Sequence, residues 1–72
     1  MRPLMLQLLD VVALLVDHPE LSLSSGQVGT IVECYDGEYE VEFVNTKGRT
    51  YALAAFKASE LLKLRHDAEA AA

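Results

Sequence analysis

The dipeptide Asp36-Gly37 separates two runs of alternating apolar and polar residues, Val28 to Tyr35 and Glu38 to Val44. No other feature limits the fold of this chain as much. Asp-Gly is a strong signal for a two-residue type I′ hairpin turn, which needs positive φ at both central positions. Taken literally, it pairs Tyr35 with Glu38, Cys34 with Tyr39, Glu33 with Glu40, Val32 with Val41, Ile31 with Glu42 and Thr30 with Phe43. Strand side chains alternate between faces with a period of two. This register predicts a core face of Val28, Thr30, Val32, Cys34, Tyr39, Val41 and Phe43. The solvent face would carry Ile31, Glu33, Tyr35, Glu38, Glu40 and Glu42. A slip by one residue would turn the glutamates inward, so the register is strongly specified.

A second turn follows at Asn45-Thr46-Lys47-Gly48, with Gly48 in the left-handed position of a three-residue loop. Pairing Asn45 with Arg49 would set Tyr51 beside Phe43, Leu53 beside Val41 and Ala55 beside Tyr39. Upstream, Asp10 to Val16 reads as a buried first strand, although its periodicity also admits a helix. Pro3 to Leu9 have room for a short N-terminal helix of one or two turns. Pro19 to Gly26 form a loop, with Leu21 and Leu23 expected to tuck inward. Downstream, Lys57 to Leu61 give a single helical turn before a last strand, Leu62 to Leu64. The expected fold is all-β: a small SH3-like barrel of about five strands with a one-turn helix before the last strand. Residues 1–65 would form the single domain and residues 66–72 a flexible C-terminal tail.

Seventy-two residues bound the chain to one domain with little core to spare for a deep pocket. The net charge of −5 leaves no basic surface for counterion release, so neither nucleic acid nor an anionic membrane is an expected partner. A protein partner with a basic patch is favoured instead. Cys34, the only cysteine, excludes an internal disulfide and fits a cytoplasmic location. The apolar N-terminal run departs from a secretory signal, because Asp10 interrupts it and Pro3 opens it.

Gly26-Gln27-Val28-Gly29-Thr30-Ile31-Val32-Glu33, Tyr39-Glu40-Val41-Glu42-Phe43 and Gly48-Arg49-Thr50-Tyr51-Ala52-Leu53 carry a resemblance. With Asp10 to Leu14 and Pro19-Glu20-Leu21, they resemble a family of short bacterial proteins in the domain-of-unknown-function series, number four-nine-two-six. The resemblance covers roughly residues 9 to 65 and implies an SH3-like fold without an activity to carry over. The same pattern is more loosely similar to SH3-like accessory subunits, such as small chains of photosystem I and of ferredoxin–thioredoxin reductase. A shared barrel transfers no function.

Two surfaces stand out as candidate sites. The first is the predicted solvent face, where Ile31 and Tyr35 sit among Glu33, Glu38, Glu40 and Glu42. No Lys or Arg lies between Arg2 and Lys47 to neutralise these carboxylates. The second is Leu4, Met5, Leu6 and Leu8, which exceed what one end of a small barrel needs and would suit a homodimer interface. Both could equally be bland: a solvated strand face and an end cap. Catalysis is not expected, because no nucleophile elbow, phosphate loop or metal-ligand spacing is present. No cofactor and no metal are expected either, since Asp17-His18-Pro19-Glu20 offer too few ligands in a loop. The function expected is that of a non-enzymatic interaction module or small accessory subunit. An antitoxin-like partner of a neighbouring gene product is the main alternative, and an RNA- or ribosome-associated domain is disfavoured by charge.

Overall fold

The computed structural model describes residues 5–65. Five antiparallel strands form one sheet: β1 (Val11–Leu14), β2 (Val28–Tyr35), β3 (Glu38–Val44), β4 (Thr50–Lys57) and β5 (Leu61–Lys63). Their spatial order is β4-β3-β2-β1-β5. Two single 3-10 turns, Pro19–Leu21 and Ala58–Glu60, complete the regular structure. The all-β class, the strand count and the turn before the last strand match the sequence-based expectation. Residues 5–9 contain no helix; Leu9 takes a positive φ of 72° and the Asp10 amide bonds to the Gln7 carbonyl. Residues 1–4 and the expected tail at 66–72 lie outside the described residues.

The sheet is not closed into a barrel, which corrects the expected closure. Its end strands β4 and β5 are joined through Ala58–Glu60 but do not pair with each other. The bonds at the turn fit this arrangement. The Lys57 amide, where closure would begin, donates to Glu60 Oε1 at 3.0 Å, and the Leu15 amide donates to the Glu60 carbonyl at 2.8 Å. The Lys57 amide is thus satisfied within the turn, and the Glu60 carbonyl is turned toward β1 and away from β4.

The core is a single cluster of Val12, Leu14, Leu23, Ile31, Val41, Phe43, Phe56 and Leu61. Phe43 and Phe56 meet edge to face with centroids 6.0 Å apart, a geometry the ring quadrupoles favour. Leu23 anchors the loop as expected, whereas Leu21 is exposed.

Both hairpins form, but each carries a one-residue bulge that the literal registers lacked. Tyr35–Glu38, Cys34–Tyr39 and Glu33–Glu40 pair as expected. Beyond them the register shifts, and Ile31 pairs with Val41 and Thr30 with Glu42. Val32 is the extra residue. Ile31 therefore turns inward and is fully buried, while Val28 turns outward. Cys34, expected inside, is exposed because the hairpin tip projects past the core. The turn also differs in type: Gly37 has φ +86° but Asp36 is not in the positive-φ region. Positive φ at the second central residue alone is what a type II turn asks of glycine.

In the second hairpin the Asn45 amide bonds to the Arg49 carbonyl and Gly48 has φ +79°, as expected. Tyr51 is then skipped: Val44 pairs with Thr50 and Phe43 with Ala52. Ala52, Ala54 and Phe56 consequently face the core, and Leu53 and Ala55 face out. Gly29 is inward too. A Cβ there would lie 2.5 Å from Val41 Cγ1 and 2.8 Å from the Glu42 carbonyl oxygen. Only glycine lets β2 come this close to β3.

Candidate interaction surface

The two bulges decide which side chains share the outer face. Glu33, Tyr35, Glu38, Glu40 and Glu42 remain there, as the sequence predicts. Ile31 does not: burial removes it from the candidate surface. The Tyr35 hydroxyl donates to Glu40 Oε1 at 2.9 Å, which raises the tyrosine pKa because the bond favours the protonated phenol. Thr50 donates its hydroxyl to Glu42. Glu33 and Glu40 sit directly opposite each other, an arrangement that costs a few tenths to about 1 kcal/mol.

In place of Ile31, the outer face carries a different apolar patch, toward the end away from the β2-β3 turn. Val11, Val28, Val44 and Leu62 are all substantially exposed. Pairing makes Val11, Val28 and Leu62 neighbours, since Ala13 lies between Val28 and Leu62 and Val11 lies opposite Thr30, while Val44 is on the same face at the end of β3. The outer face is thus apolar at the β5-β1-β2 end and acidic toward the β2-β3 turn. Sequence reasoning missed Val28, assigned to the core, and did not join Val11, Val44 and Leu62 to it. A signal was present: Gly29 inside a strand points to close backbone approach, which fixes its neighbour Val28 on the other face.

The second predicted surface is only partly assembled. Met5 and Leu8 are exposed, at 76 % and 54 %, but Leu6 packs against the core. Leu4 lies outside the described residues.

His18, from sequence only a weak loop ligand, occupies a more organised position. Its Nδ1 lies 3.0 Å from Glu20 Oε2, its Nε2 lies 3.2 Å from Glu60 Oε2, and its ring meets Phe56 edge to face at 5.0 Å. The hydrogen bond to Glu20 and the charge of Glu60 outweigh partial desolvation and raise the imidazole pKa. Among the described residues, no three His, Cys, Asp or Glu side chains are arranged to hold a metal ion. No described helix is long and apolar enough to cross a membrane.

Among known proteins, no curated sequence and no solved structure matches the chain. A family match does exist, and it spans both hairpins, both bulges and the Glu60 turn. Over residues 8–63 this chain belongs to the domain of unknown function family DUF4926.

Proposed function

We propose that this chain is a non-enzymatic protein-interaction module, or small accessory subunit, that docks its partner on the outer face of the sheet. One observation carries the reading: on a single open face, exposed Val11, Val28, Val44 and Leu62 lie at one end, and Glu42, Glu40, Glu33 and Glu38 line the way to the β2-β3 turn. Apolar area contributes affinity through burial, and a border rich in carboxylates, with Lys57 set opposite Glu38, selects the partner and speeds encounter. The partner is therefore a protein with an apolar patch flanked by Lys and Arg. A net charge of −5 disfavours RNA in the same role. The projecting acidic tip also suits an antitoxin-like variant of this reading, in which the partner's patch is a basic groove.

Tagged wild type and two variants, Glu33→Lys/Glu40→Lys and Val28→Lys/Leu62→Lys, test this by purification from native cells. Both variants are expected to keep the circular dichroism spectrum and to lose the same copurifying protein. Equal recovery by all three would overturn the proposal. Coexpression with the neighbouring gene product separates the antitoxin-like variant.

A further inference from the structure

Antiparallel strands direct alternate residues' backbone groups to alternate sides, so one anchored residue orients the whole ladder. The Ile31 amide donates to the Asp10 carbonyl at 2.9 Å, and its carbonyl accepts the Leu9 amide at 2.7 Å. Ile31 thus points its backbone toward β1, and Thr30 toward Glu42 on β3. Val41 and Phe43 then bond to Ala54 and Ala52. It follows that the N–H and C=O groups of Leu53, Ala55 and Lys57 point away from the sheet. The Lys57 amide confirms the direction, since it turns outward to Glu60 Oε1. Leu53 and Ala55 have no backbone partner on that side among the described residues.

This edge lacks the usual protection. Edge strands are normally blunted by a charge, a proline or a bulge along the exposed stretch. From Ala52 to Phe56, β4 has none of these, and Leu53 is 55 % exposed. The opposite edge, β5, is only three residues long.

We propose that β4 is the self-pairing edge of a homodimer, in which two copies join β4 to β4, antiparallel, about a two-fold axis at Ala54. The strand is self-complementary in that register. Leu53 of each copy lies opposite Ala55 of the other, so every free N–H and C=O of the two residues finds a mate. Large side chains face small ones, since Phe56 lies opposite Ala52 of the second copy. Inner faces continue inner faces, and outer faces continue outer faces. Lys57 meets Tyr51 of the second copy, whereas a two-fold axis at Leu53 would set Lys57 against Arg49, a like-charge pair, and Ala55 against the bulged Tyr51. The glutamates of the outer face sit one and two strands back, on β3 and β2, so none faces its counterpart across the join. The contact is isologous and closed, and it leaves the outer apolar patch free.

Sedimentation equilibrium and amide hydrogen exchange on the full chain test the proposal. The expected result is a concentration-dependent dimer that tightens with salt, as screening reduces repulsion between two anionic copies. Exchange at Leu53 and Ala55 should slow about tenfold once nine-tenths of the chain is paired. Ala55→Pro removes a free donor without touching the β3 ladder, and Leu53→Lys adds the missing charge; each is expected to give a folded monomer. Val28→Lys, on the outer face, should leave the dimer intact. A monomer at every concentration up to ~1 mM would overturn the proposal. So would a dimer that survives both edge variants, protection that maps to the outer face, or an edge occupied by a different extended chain.

Discussion

The two faces of this sheet are built from the same strands, yet they answer to different rules. The inner face is one apolar cluster closed over Ile31, Val41, Phe43 and Phe56. The outer face mixes exposed valines and leucine with glutamates and has no covering layer among the described residues. Inside, shape decides: Gly29 is required because even a methyl group would collide with Val41 and the β3 backbone. Outside, shape is free and charge pattern matters. The inner face therefore holds the fold, and the outer face is where sequence can be spent on recognition.

Substitutions can break this division. Phe43→Ala should cost about 3–5 kcal/mol, much of what so small a domain has, and urea unfolding would read it. Ile31→Ala is expected to cost about 2–5 kcal/mol. Val32→Ala, one residue away at the bulge, should cost clearly less in the same measurement. The reverse order would restore the unbulged register and dissolve the contrast between faces. Gly29→Ala should lose about 1–3 kcal/mol through overpacking, seen as a lower thermal midpoint.

Outer-face changes sit at the other end of the scale. Glu33→Lys/Glu40→Lys should shift stability by no more than about 0.5 kcal/mol, since surface charges away from the core are weakly coupled to folding. The smallest effect concerns His18. Its pKa is raised above the ordinary 6.5, so the stabilisation is fully present below that ordinary value and is lost as pH rises through the folded value. Glu20 is shifted the other way, chiefly by its hydrogen bond to His18, so its share is lost as pH falls through its lowered pKa. A titration followed by imidazole resonances should give a midpoint above 6.5, and Glu20→Gln should move it down.

The sequence revealed what is local and hid what is not. Gly37 and Gly48 mark their turns because those turns need positive φ, which glycine provides cheaply. The bulges at Val32 and Tyr51 carry no such mark. Neither residue has positive φ, so a bulge there demands no special residue type. Once the register slipped at Val32, the acidic residues nearer the turn stayed where alternation put them, but Ile31 and Val28 exchanged faces. In β4, Tyr51 to Phe56 are apolar on both faces, so alternation could not choose between them. The His18 arrangement was illegible for a different reason: its partner Glu60 is 42 residues away.

Glu60 has a consequence for how the chain acquires its structure. One residue caps the end of β4 through Oε1, receives His18 on Oε2 and takes the Leu15 amide on its carbonyl. Just after it, β5 supplies the neighbour of β1 on the side away from β2. The opening strand, laid against β2, thus gains its second neighbour from the closing segment. A chain halted at Lys57 should keep β1 on β2 but leave its other side uncovered, a loosening that faster amide exchange along β1 would reveal.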